Sequence, residues 1–185
     1  MLQLPTQLQK IPRQYLQKNR TTPGQLVSLN YETYESFGYL QHQQRITKRA
    51  IVYLPHDYSD EKQYNVFYLM HGGWSDETTY LGTPDDPRPL KNILDNAIAA
   101  GKITPLIVVC PTYNNRSDQD SSDYSLALQL TDNYHHELVN DLIPAVEGRF
   151  STYAQDVTDQ GLARSRDHRA FCGFSMGSVT TWHVF

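Results

Sequence analysis

Gly173-Phe174-Ser175-Met176-Gly177 sets a serine between two glycines at the spacing of a nucleophile elbow. A chain that leaves a buried strand, turns on a strained serine and enters a helix at once needs glycine on both sides. Strand and helix backbones must approach there without a Cβ between them. A helix starting at Met176 would also aim its unpaired N–H groups and positive dipole end at an anion forming beside the serine oxygen. That environment suits acyl transfer through Ser175.

Three fixed small residues recur by chance, so the flanks matter. His168 to Phe174 reads as a short apolar strand, and Met176 to Phe185 alternates apolar and small residues like a packed helix. A second signal lies upstream, where the near-continuous apolar run Tyr64 to Met70 ends in His71-Gly72-Gly73-Trp74. Runs without polar alternation suit parallel strands covered on both faces. The glycines permit either an ordinary turn or a tight loop whose N–H groups face a substrate carbonyl, the second half of an oxyanion hole. The elbow and this loop are far more specific together than apart.

These segments need a scaffold. Extended stretches at Leu26 to Tyr34 and Lys48 to Leu54 precede the Tyr64–Met70 run. After it come a helix, a strand ending at Cys110, a longer helix and the elbow. The βαβα alternation predicts an α/β fold, a mostly parallel sheet with flanking helices, as a single domain over residues 1–185. In Pro89 to Ala100, Leu90, Ile93, Leu94, Ala97 and Ile98 share one helical face and Gly101 is placed to stop it. Leu130, Tyr134, Leu138, Leu142 and Val146 recur every four residues ahead of Gly148. Both stripes are core. The link 151–167 is longer than α/β units usually need, and reads as a flap or an exposed excursion.

Hydrophobic residues are 39% and charged ones 19% of the 185, with a net charge of −4, which leaves no electrostatic footprint for nucleic acid or an anionic membrane. No apolar stretch is long enough to span a bilayer. Met1 to Lys10 lacks the apolar centre of a secretory signal, which leaves the compartment open. Arg164-Ser165-Arg166-Asp167-His168-Arg169 reads as a solvated connection. Cys110 and Cys172 each sit in apolar, strand-like runs and read as buried free thiols. Asp118-Gln119-Asp120 lacks the glycine and closing glutamate of a calcium loop, and His135 and His136 should diverge around a helix. No metal or cofactor is implied.

The chain resembles the α/β-hydrolase esterases of carbohydrate esterase family one, the feruloyl and acetylxylan esterase group. The likeness is carried by Ile11-Pro12-Arg13-Gln14-Tyr15-Leu16, Arg49 to Pro55, Tyr68 to Gly73, Pro89 to Asp95 and Asp167 to Gly177, in the family's order. It implies an α/β-hydrolase fold, of which this chain would be the N-terminal part. It assigns Ser175 as nucleophile, the Met176 amide as one oxyanion donor and the Gly73 amide as the other, with Trp74 as a further candidate. The partner it implies is esterified xylan or an oligosaccharide from it, often met outside the cell, with Trp74 and Tyr80 placed to stack on a phenolic or sugar ring. The family's strand order would set the oxyanion strand between Cys110 and Cys172, too far apart to bridge.

In this fold the triad acid and then the histidine follow the serine along the chain. His71 therefore belongs to the oxyanion loop, and His168 and His183 to packing or the surface. The resemblance thus implies that the triad acid and base are absent here, that the 185 residues alone are inactive or nearly so, and that an apolar strand edge stands uncovered. Three readings stand: an esterase removing feruloyl or acetyl groups from xylan; another esterase of this fold, such as an S-formylglutathione hydrolase, a siderophore esterase or an acyltransferase; or a non-catalytic remnant.

Overall fold

The apolar runs become strands β1 (Gln25–Tyr34), β2 (Arg45–Leu54), β3 (Asn65–Met70), β4 (Leu106–Cys110) and β5 (Arg169–Gly173) in a computed structural model that describes residue 7 and residues 10–184. They form one sheet in the order β1-β2-β4-β3-β5. β1 and β4 flank β2 antiparallel, while β3 pairs parallel with both β4 and β5. Only β2 is reversed, so the sheet is mixed and mostly parallel. β2 starts at Arg45 rather than Lys48. Its first residues pair only with β1 and alternate with solvent, so they lack an apolar signal.

Helices α1 (Arg13–Leu16), α2 (Pro89–Ala99), α3 (Tyr124–Glu137), α4 (Ile143–Glu147), α5 (Asp159–Arg164) and α6 (Met176–Val184) accompany the sheet. Leu90, Leu94 and Ile98 of α2 pack on Ile51, Tyr53 and Val108 at one face, and Gly101 ends the helix at φ +64°. Leu130, Tyr134, Leu138, Leu142 and Val146 pack on the other face, against Val52, Val66 and Tyr68. Phe185, the last residue of the predicted final helix, lies outside the described residues.

The four-residue stripe of the long helix has a geometric consequence. An ideal α-helix turns about 100° per residue, so strict i+4 spacing drifts about 40° per step and would carry Val146 off the buried face. Residues Leu138–Leu142 wind instead as a π-turn, with the Ile143 N–H donating to the Leu138 carbonyl. This wider winding cancels the drift and keeps all five side chains buried. Pro144, which has no N–H to donate, follows directly.

Polar residues buried in this core were invisible as such in the sequence. Lys48 Nζ meets Glu137 Oε2 at 2.8 Å, and the Tyr31 hydroxyl donates to Glu137 Oε1 at 2.5 Å, which ties α3 to β1 and β2. Arg169 is not part of a solvated connection. It forks onto Glu147 with two contacts of 2.6 Å and fixes the start of β5 to α4. The link 151–167 is likewise no bare loop: it carries α5 and a bridge between Thr152 and Tyr64. His135 and His136 do not diverge. Their rings are 3.8 Å apart because His136 leans onto Tyr39 while His135 turns to the Asp132 carbonyl.

Both cysteines are free, with β3 between their strands, but only Cys110 is buried. Cys172 is exposed because β5 is an edge strand, and its Ala170–Cys172 side has no helix over it. Among the described residues no helix is long and apolar enough to cross a membrane. β1, β3, β4 and β5 point the same way, so the segments that follow them gather at one end of the sheet.

Candidate active site

At that end Ser175 sits between β5 and α6, exposed, with φ +56°. Such a left-handed conformation costs a non-glycine residue about 1–2 kcal/mol and persists only where the surroundings impose it. They do so through backbone contact. A Cβ at Gly173 would come within 2.6 Å of the Gly177 Cα, and one at Gly177 within 2.6 Å of the His71 carbonyl oxygen. β5, α6 and the end of β3 therefore touch backbone to backbone around the serine. Ser178 closes the turn by donating from its hydroxyl to the Ser175 carbonyl at 2.6 Å.

Met176 opens α6, and its amide has no partner among the described residues, as expected for a first helical residue. The Gly73 amide is likewise free there. Trp74 differs, since its amide donates to the Ser121 carbonyl at 2.9 Å. This corrects the expectation of Trp74 as an alternative amide donor, because its proton is already committed. The Trp74 side chain is 75% exposed, on a backbone with φ +54°.

The direction of the Gly73 amide follows from the far side of the same peptide. The Gly72 carbonyl accepts from the Tyr113 hydroxyl at 2.9 Å and lies 2.7 Å from His71 Nδ1. A carbonyl only accepts, so His71 carries its proton on Nδ1, and its Nε2 accepts from the Thr112 hydroxyl at 2.7 Å. Thr112 Oγ1 in turn accepts from the Asn114 amide at 3.0 Å. Burial holds the His71 pKa down at about 4, so the ring is neutral at pH 7. A trans peptide sets N–H and C=O opposite each other. With the Gly72 oxygen pinned on the His71 and Tyr113 side, the Gly73 N–H points away from it. Gly72 itself abuts the serine: a Cβ there would stand 3.3 Å from Ser175 Cβ and 3.8 Å from its Oγ.

Tyr80 is half-buried. It packs against the α2-side core and turns its hydroxyl toward the Met70 carbonyl at 3.5 Å, and burial raises its pKa. The histidines are engaged elsewhere. His168 stacks on Tyr153 with ring centres 3.5 Å apart, and His183 Nδ1 meets Asp132 at 3.2 Å. Asp120 caps the amides of Asn115, Arg116 and Ser117. The partners that shape the 71–75 loop, namely Thr112, Tyr113, Asn114 and Ser121, carried no signal in the sequence.

A strained, exposed serine at a strand–turn–helix junction, followed by the uncommitted Met176 amide and touched by Gly72, can present a nucleophile to a carbonyl. Residues 44–183 match the family described as "Putative esterase". The chain belongs to this esterase family. It is 46% identical over 138 residues to endo-1,4-beta-xylanase Y of Acetivibrio thermocellus, a match over 75% of this chain and 12% of that protein. It is 31% identical over 141 residues to an endo-1,4-beta-xylanase/feruloyl esterase of Xylanibacter ruminicola, over 71% of this chain and 16% of that one. Among solved structures, a serine-to-alanine mutant of the feruloyl esterase module from Clostridium thermocellum, complexed with sinapinate, superposes with a TM-score of 0.73. The two are 40% identical, covering 97% of this chain and 54% of that one. A ferulic acid esterase from Anaeromyces mucronatus shares the fold, with a TM-score of 0.66 at 22% identity, covering 96% of this chain and 60% of that one. The esterase chain thus has the α/β-hydrolase fold and spans about half the length of these structures and a small part of the curated relatives.

Proposed function

We propose that the chain carries the nucleophile half of a serine esterase that removes feruloyl groups from plant xylan. Ser175 attacks the ester carbonyl while the Gly73 and Met176 amides hold the oxyanion, the ester C–O bond breaks as the sugar hydroxyl leaves with the proton taken from the serine, and water then releases the feruloyl group as the free acid. Trp74 offers an exposed face to the phenolic ring, with Tyr80 supporting the floor beneath it. The observation that carries this reading is the pairing of Ser175, strained and solvent-facing, with the uncommitted Met176 amide and the outward-turned Gly73 amide. The feruloyl esterases among its relatives support the aromatic acyl group over acetyl. Action on cell-wall xylan would set the enzyme outside the cell that makes it.

The serine must lose its proton to a base, and no described histidine reaches it. The reaction therefore needs a histidine and a carboxylate from polypeptide outside the described residues. Loss of the base in a comparable serine hydrolase costs about a millionfold, and the oxyanion hole retains about a thousandfold over water. Treated with a fluorophosphonate, the chain should be modified slowly at Ser175, as read by peptide mass spectrometry, and Ser175→Ala should abolish the adduct. Methyl ferulate should turn over at no more than a trace rate. An adduct elsewhere would sink the assignment of Ser175; rapid turnover that Ser175→Ala abolishes would instead reveal a base within the chain.

A further inference from the structure

Two adjoining clefts of about 280 and 370 Å³ share Asn115 and Arg116 in the segment that follows β4. The first runs over Arg49, Glu77 and Thr112, and the second over Glu35 and Phe37. Thr112 and Asn114 line the first cleft while their side chains hold His71 and the Ser75 carbonyl. Cleft and oxyanion loop are thus one hydrogen-bonded unit, at the same end of the sheet as Ser175. Together the clefts fall within the size range that holds a drug-sized ligand.

Their chemistry narrows the ligand. Arg49 Nη2 meets Glu77 Oε1 at 2.6 Å, Lys48 meets Glu137 at 2.8 Å, and Arg116 stands 3.7 Å from Glu35. Each cation faces a carboxylate and Asp118 and Asp120 also line the clefts, so their charge has a slight negative excess that would repel rather than draw an anion. They present instead donors and acceptors in fixed positions. Asn115 is clamped between Glu35 Oε1 at 2.8 Å and the Ser36 amide at 3.0 Å, with Arg116 and Asp118 exposed beside it. Phe37, 50% exposed, closes one end with an apolar face. Oriented polar groups without a positive excess, next to an aromatic face, match a neutral ring that bears hydroxyls on its edge and C–H groups on its faces.

We propose that this double cleft binds a run of neutral sugar residues, the part of the polysaccharide leading away from the ester at Ser175. The direction of the chain rests on the esterase reading; the binding itself does not. The test is titration of the 185-residue chain with unacylated xylotetraose, followed by calorimetry and by amide NMR shifts. Saturable binding is expected, with shifts concentrated in residues 35–38, 47–49 and 112–118. Arg116→Ala and Phe37→Ala should each weaken it about tenfold, the loss of one good contact. Arg164→Ala, on α5 beyond the opposite end of the sheet, should leave it unchanged, and tetragalacturonate should bind more weakly. Absence of saturable binding, shifts elsewhere, undiminished affinity in both cleft variants, or preference for tetragalacturonate would each overturn the proposal. Arg116 and Phe37 are exposed, so neither change threatens the fold. Xylotetraose contains no ester, so failure here would leave Ser175 labelling intact, and failure of that labelling would leave this binding intact.

Discussion

The elbow at 173–177 is held by backbones in contact, whereas the 71–75 loop is held by hydrogen bonds from residues 39 to 47 positions away in sequence. Each carries an amide with no partner among the described residues, Met176 in one and Gly73 in the other, yet one segment is fixed by what cannot fit and the other by what must be satisfied. Steric fixing tolerates no added atom and is indifferent to pH. Polar fixing tolerates shape changes that keep the partners, and it depends on protonation.

The largest effect should come from the steric side. Gly177→Ala would drive a Cβ into the Met70 and His71 carbonyl oxygens, both backbone atoms unable to swing aside. A loss of about 3 kcal/mol is expected from urea unfolding midpoints at constant slope. A loss under about 1 kcal/mol would break the steric half of the comparison.

Thr112→Val keeps the shape but leaves His71 Nε2 and the Asn114 amide without their partner. The cost should be about 2 kcal/mol in the same measurement, with slower fluorophosphonate labelling of Ser175 as the Gly73 amide loses its anchor. Unchanged stability and labelling would show that the loop stands without this chain of hydrogen bonds.

The smallest effect is the sharpest in kind. His71 titrates near pH 4 in the folded chain against an ordinary 6.5, so below pH 6.5 the unfolded state binds the proton more readily. Its contribution to stability is complete above pH 6.5 and drains away as the pH falls toward 4. It should amount to about 1.4 kcal/mol lost by pH 5.5. His71→Gln, compared with the unaltered chain across pH 5 to 7.5, should remove that slope; a retained slope would assign the acid sensitivity to other groups.

The same contrast explains what the sequence disclosed. Only glycine fits where two backbones touch, so Gly173 and Gly177 announced the elbow, and the uninterrupted apolar runs announced the inner strands. Thr112, Tyr113, Asn114 and Ser121 are ordinary polar residues whose task exists only once β4 lies beside β3, so nothing local marks them. Arg169 failed as a solvated charge for the same reason: its partner Glu147 is distant in sequence. Cys172 failed for a different one, since an apolar run does not say whether its strand is central or at an edge.

The π-turn at Leu138–Leu142 acts as a phase adjustment between two lengths of the same cylinder. Removing one residue there would restore uniform winding and shorten one step of the stripe from four residues to three, which steps back about 60° and leaves Ile143 and Val146 still aimed at the sheet. The odd residue is slack taken up within a single turn, so both halves of the helix keep their aim at the sheet with it or without it.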